Sequence, residues 1–179
     1  MVWAMIDNNA PLPASTPSID NALILIVDDK PTNIEILELL LTDAGYSNIM
    51  STTRPTEVLS LYNNHHPDLV LLDLLMPDLS GIDVLRELKQ LIPSDDYVPR
   101  VILTADNSNA AKGDALRLGA HDFIHKPLDA TEGILRIQNL LQTRMLQKAL
   151  RASNSQLESK VQALTREIEL YKVQLELAN

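Results

Sequence analysis

Three carboxylates, a hydroxyl and an ammonium stand at the ends of short apolar runs in this chain. Residues 22–27 (ALILIV) lead into Asp28 and Asp29, and residues 69–72 (LVLL) into Asp73. Residues 101–103 (VIL) lead into Thr104, and Phe123–Ile124 lead through His125 to Lys126. Any one of these polar residues alone reads as an ordinary strand ending. Brought together, three carboxylates repel one another, so the set takes up protons or binds a cation. An all-oxygen site with room for water suits Mg²⁺ ahead of Ca²⁺ or Mn²⁺. With a hydroxyl and an ammonium beside it, such a site also suits a phosphoryl group. The cation and the ammonium would neutralise its oxygens while one carboxylate acts as nucleophile.

The elements that would position these groups follow from periodicity. Continuous apolar runs of this length, alternating with helical patterns, read as buried strands of a parallel sheet. Strands are expected near 22–27, 48–51, 69–73, 101–104 and 123–124. Helices are expected from Pro31 to near Gly45, over 55–64, over 82–91 and over 106–118, the last ending at Gly119. Proline in a first helical turn and glycine just past a last one mark several of these boundaries. The alternation implies right-handed crossovers and a doubly wound α/β fold. In such folds ligands sit beyond the carboxyl ends of the strands, where the polar residues fall.

The order VDD (27–29), LLDLLMPDLSG (71–81), LTA (103–105) and FIHKP (123–127) resembles the receiver domain of two-component response regulators, over roughly residues 22–140. The resemblance implies a flavodoxin-like five-stranded parallel sheet in the order 2-1-3-4-5. It implies Asp73 as phosphoacceptor from a histidine kinase and Mg²⁺ as cofactor. Asp29 would bind the metal directly, Asp28 largely through water, and Leu75 through its carbonyl. Thr104 would hydrogen-bond the phosphoryl group, Lys126 would pair with it, Phe123 would be the switch aromatic, and Lys126-Pro127 would be a cis peptide. Leu75 replaces the polar residue some receivers carry there, a change that carbonyl ligation survives.

Composition narrows the class. The 179 residues are 45% hydrophobic, which is globular, and contain no cysteine, which excludes a disulfide framework and suits a reducing compartment. MVWAMI lacks the basic flank and length of a signal peptide, and no run approaches a membrane span. A cytoplasmic protein without membrane contact is expected. Residues 1–132 carry 20 acids against 8 bases, a balance of −12, whereas 133–179 carry 4 against 7, a balance of +3. An acidic body argues against nucleic acid as a direct partner, since phosphate neutralisation dominates duplex binding. Residues 8–18, with three prolines, read as part of a disordered leader over 1–20, and Trp3 has no assigned role. His65-His66 lack a third ligand, and five glycines include no phosphate-binding loop.

From Thr131 onward there is no proline and only Gly133, so one helix of about 70 Å can run to the end. Asn154, Val161, Ile168 and Leu175 fall at a positions and Leu150, Leu157, Leu164 and Tyr171 at d positions of a heptad seam. β-Branched residues at a with leucine at d favour a parallel dimer, and a lone Asn at a fixes register. Glu167 at g faces Lys172 at e of a partner helix. The competing reading, an amphipathic helix folded back onto the domain, is disfavoured by Ser153, Ser155 and Ser159, which leave little apolar surface outside the seam. Between Leu141 and Leu150 the phase slips, with Thr143 and Gln147 at expected core sites. The expected organisation is a receiver over 21–140 followed by a dimerising coiled coil over 141–179.

These features describe a phosphoacceptor, not itself an enzyme, that signals through a parallel homodimer. A phosphatase of the haloacid dehalogenase kind would need an acid two residues beyond Asp73, where Leu75 stands. A constitutive coiled-coil scaffold with a degenerate receiver does not explain a fully populated set of site positions. The stretches PTNIEIL and KVQALTREIEL resemble response regulators whose coil leads to a cyclic-di-GMP phosphodiesterase of the HD-GYP type or to a cyclase, so a missing output domain is the alternative reading.

Overall fold

The computed structural model describes residues 18–77, 79–105 and 109–177, with the side chains of 109–112 and 176 excepted. The expected leader below residue 18, Trp3, Asp78 of the MPDLSG loop and the expected helix start at 106–108 lie outside the described residues. Ile19–Asn21 form a short 3-10 turn capped by Ser18.

Five strands form one parallel sheet: β1 (Ile24–Val27), β2 (Ile49–Thr52), β3 (Leu69–Asp73), β4 (Arg100–Thr104) and β5 (Asp122–His125), in the order β2-β1-β3-β4-β5. The order agrees with the expectation, and each apolar run occupies a strand. β1, β3 and β4 are buried along their whole length, which is why they read as unbroken apolar runs. β2 lies at an edge and is only partly covered, so its signal in the sequence is weak.

Strand alternation sends side chains to two helical layers. Leu25, Val27, Val70, Leu72 and Ile102 pack with α2 (Val58–His65), α3 (Gly81–Leu91) and α4 (Asn109–Arg117) through Val58, Tyr62, Val84, Leu85, Leu88 and Ala115. Ile24, Ile26, Leu69, Leu71, Val101 and Leu103 pack on the other face. There they meet α1 (Pro31–Asp43) through Ile34, Leu37 and Leu41, and α5 (Ala130–Leu177) through Ile137, Leu141 and Met145. Each such buried side chain contributes about 1.5–3 kcal/mol. The expected helix over 55–64 begins as a 3-10 turn, Pro55–Glu57, before α2. Ser80 caps α3, its Oγ accepting the Asp83 N–H at 3.2 Å. Gly45 and Gly119 end their helices with φ of +95° and +97°, a left-handed backbone that suits glycine.

The chain divides into two compact units: Ser18–Met145, and a second that takes the helix from Leu146 onward. Within the first, Ile137, Leu141 and Met145 form one stripe of α5, and Arg144 beside them is buried. The phase slip therefore falls where the sheet-covering stripe ends. In the second unit Leu150, Asn154, Leu157, Val161, Leu164, Ile168, Tyr171 and Leu175 are all exposed in the single chain. Among the described residues, no helix is long and apolar enough to cross a membrane.

At the base of the sheet Arg100 and His121 exchange hydrogen bonds. The Arg100 N–H donates to His121 Nδ1 at 3.2 Å and the His121 N–H donates to the Arg100 carbonyl at 2.8 Å. The Tyr97 ring meets the imidazole edge-on, with centroids 4.8 Å apart. Burial, reinforced by the Arg100 charge, lowers the His121 pKa to about 4. The unfolded chain binds this proton near pH 6.5, whereas the folded chain binds it only near 4. Stability therefore falls as pH drops through that window, by at most about 3 kcal/mol. Chemical unfolding between pH 7 and 4 should show this loss, and His121→Asn should flatten it. An unchanged slope in the variant would assign the acid sensitivity elsewhere.

Candidate functional site

Parallel register carries the polar groups to one edge. Val27 pairs with Leu72, Asp73 with Leu103 and Thr104 with His125, so Asp28, Asp73, Thr104 and Lys126 end neighbouring strands. The edge also contains the switch point of the winding, because β2 lies to one side of β1 and β3 to the other. Gly81 lets the loop after β3 close over this end. Its N–H donates to the Leu74 carbonyl at 3.0 Å, and a Cβ there would collide with the Asp73 carbonyl.

One ammonium links two of the three acids. Lys126 Nζ donates to Asp28 Oδ2 and to Asp73 Oδ1, each at 2.7 Å. Asp28 is fully buried and Asp73 nearly so. One oxygen from each of Asp28, Asp29 and Asp73 lies within 4.8 Å of the others. Asp29 Oδ1 is buried yet has no hydrogen-bond partner among the described residues. A buried carboxylate oxygen without a donor is costly, and a cation in the acidic cluster would satisfy it. The donor set, all oxygen and rich in carboxylate, fits Mg²⁺.

Electrostatics at this edge are opposed. Burial pushes the Asp73 carboxyl above its ordinary range, Lys126 pulls it down, and Asp28 and Asp29 push it up again. Burial alone would lower the Lys126 pKa, but the bonds to Asp28 and Asp73 outweigh it and hold the ammonium above its usual value. The lysine is therefore charged and fixed, and it only partly offsets three clustered acids.

The other expected positions are distributed as follows. Thr104 is buried at the end of β4, where its carbonyl accepts the Lys126 N–H at 2.9 Å. Leu75 is 67% exposed in the loop after β3. Phe123 lies half-buried on β5 against the core cluster that includes Ile102. Lys126-Pro127 is cis. The expected seam residues belong to the second unit. Sequence reasoning missed Asn33, whose amide nitrogen lies 2.9 Å from both oxygens of Asp28. The available signal was a short amide in the first turn after a strand-ending acid pair.

Comparison with known proteins agrees with this geometry. Residues 24–138 match the family model of the response regulator receiver domain. Response regulator SaeR of Staphylococcus aureus is 37% identical over 122 residues, covering 68% of this chain and 51% of that protein. Response regulator PleD of Caulobacter vibrioides is 34% identical over 131 residues, covering 73% and 28%. The signal receiver domain of an HD domain-containing protein from Pseudomonas fluorescens superposes with a TM-score of 0.63 at 26% identity, covering 69% of this chain and 97% of that one. The matched region thus spans about half or less of these two curated relatives.

Proposed function

The chain belongs to the response regulator receiver family, and from that premise we propose that Asp73 accepts a phosphoryl group from a histidine kinase. The observation that supports this reading is the Lys126 bridge to Asp28 and Asp73 beside the unpartnered Asp29 oxygen. Lys126 occupies Asp73 Oδ1, so Oδ2 is the oxygen we assign to attack. An O–P bond forms at Asp73 as the P–N bond to the kinase histidine breaks, and the departing imidazole keeps the electron pair. Lys126 then pairs with a phosphoryl oxygen, and the Thr104 hydroxyl donates to another. A magnesium ion held by Asp29 and Asp73, by Asp28 through water and by the Leu75 carbonyl would neutralise the incoming oxygens. In this reading the chain is a cytoplasmic phosphoacceptor and not itself an enzyme.

The output we propose is a change in pairing between two copies. Because Leu141 and Met145 pack on the receiver's sheet, the coil we propose begins past them, near Leu146, and the apolar seam left exposed in the single chain is covered by the same seam of a second chain. Thr104 moves toward the phosphoryl group, Phe123 buries itself in the space released, and the start of α5 shifts. Phosphorylation moves the pairing equilibrium only as far as it stabilises one arrangement over the other. Light scattering should report a dimer, and Leu157→Glu with Leu164→Glu should convert it to monomer. Dimer mass surviving both changes would reject the seam. Adding beryllofluoride and Mg²⁺ should alter coil crosslinking; unchanged mass and crosslinking would reject the coupling.

A second reading keeps the receiver chemistry and changes the output. The resemblance of PTNIEIL and KVQALTREIEL to regulators of that kind, beside the match to the receiver of an HD domain-containing protein, favours a regulatory fragment of a cyclic-di-GMP phosphodiesterase or cyclase, with the coil as connector. Reading the parent gene beyond Asn179 distinguishes the two.

A further inference from the structure

Asp28 and Asp29 are adjacent in the chain, yet their carboxylates are treated in opposite ways. Asp28 Oδ1 accepts the Lys30 N–H at 3.0 Å and the Asn33 amide at 2.9 Å. Its Oδ2 accepts the same amide at 2.9 Å and Lys126 Nζ at 2.7 Å. These contacts come from three donor groups, so both oxygens of Asp28 are held while one of its roughly four lone-pair sites stays open to a water. Asp29 Oδ1, by contrast, is buried without a partner among the described residues.

We propose that Asn33 is a positioning residue that commits Asp28 to holding Lys126 and so leaves Asp29 and Asp73 as the acids that meet a cation directly, with Asp28 reaching it only through water. The inference rests on the proposed phosphoacceptor function and names a residue of its support. The type of side chain is what matters. A lysine or arginine at position 33 would neutralise Asp28 and weaken the acidic field, and a carboxylate would repel it. A neutral amide occupies the lone pairs and leaves the charge in place. The location suits the task, since Pro31 starts α1 and Asn33 stands in its first turn, within hydrogen-bond reach of Asp28 just past the end of β1. With Asp28 held on both oxygens, its bond to Lys126 has one geometry, and the ammonium is aimed at Asp73.

The test uses the full chain with Mg²⁺ as the probe, in two variants chosen to move in opposite directions. Asn33→Leu keeps the volume and removes the donor. Mg²⁺ affinity by calorimetry should fall by about 10-fold to 100-fold, the usual effect of deleting an outer partner of a metal-ligating group. The Lys126 ammonium protons, protected from exchange in the parent by two carboxylates, should exchange rapidly in the variant by NMR. Asn33→Asp adds a fourth acid, so it should raise Mg²⁺ affinity while still releasing Lys126. Structural damage would lower affinity in both variants alike, and that result overturns the proposal. So does an Asn33→Leu protein whose Mg²⁺ affinity and Lys126 exchange match the parent. A parent chain that takes up no Mg²⁺ would instead overturn the phosphoacceptor reading, and this inference with it.

Discussion

Asp73→Asn should reduce acyl-phosphate formation to background, a loss on the order of 10³-fold or more, as expected when a covalent nucleophile is removed. The substitution preserves shape, and the new carbonyl still accepts from Lys126 where Asp73 Oδ1 does at 2.7 Å. The amide lacks the charge and the lone-pair reactivity that attack on phosphorus needs. Its neutrality also relieves the repulsion that Asp28 and Asp29 exert at this position, so the variant should fold at least as well as the parent. Incubation with a phosphorylated kinase or a small acyl phosphate, followed by intact-mass measurement, reads the outcome directly. Labelling that persists in the variant would show that another residue is modified.

The second large effect lies at the opposite end of the sheet. Arg144 of α5 is buried, and its Nε donates to Asp68 Oδ1 at 3.3 Å. Its Nη1 donates to Asp96 and, at 2.8 Å, to the Tyr97 carbonyl. Asp68, also buried, accepts the Leu23 N–H at 3.2 Å through its second oxygen. One guanidinium thus ties α5 to the segment before β3 and to the loop before β4. Arg144→Met should destabilise the receiver by about 3–5 kcal/mol, the usual cost of removing one partner from a buried ion pair. Asp68→Asn added to that variant should recover part of the loss, since it removes the buried charge that the guanidinium faced. Denaturant unfolding of the two variants and the parent measures both steps. A loss below about 1 kcal/mol, the range of a solvent-exposed pair, would mean that the network contributes little.

The contrast between these two regions explains what is legible in the amino-acid order. Asp28, Asp73, Thr104 and Lys126 were identifiable because each ends an apolar strand, and a parallel sheet brings strand ends together. The doubly wound class followed from the alternation of elements, and the strand order from the family resemblance alone. Asn33 gave only the weak signal of a short amide after a strand-ending acid pair, because its role depends on which way that amide faces in a helical turn. Arg144 was equally hidden. It meets Asp68 and Asp96 from 76 and 48 residues away, and on a helix it reads like any solvated base. The phase slip near Leu141 was visible as a broken heptad. Its physical cause, that Leu141 and Met145 cover the sheet while the residues from Leu146 onward belong to a second unit, required coordinates. His121 carried no local signal, since its effect comes from burial beside Arg100.

Titrating the intact chain with Mg²⁺ in a calorimeter at neutral pH tests the central claim most directly, because holding a cation is the role proposed for the acid cluster and its unpartnered oxygen. The predicted result is saturable uptake at one site per chain, abolished by Asp29→Ala and weakened by Asp73→Asn. Absence of uptake, or uptake that Asp29→Ala leaves untouched, would contradict the account.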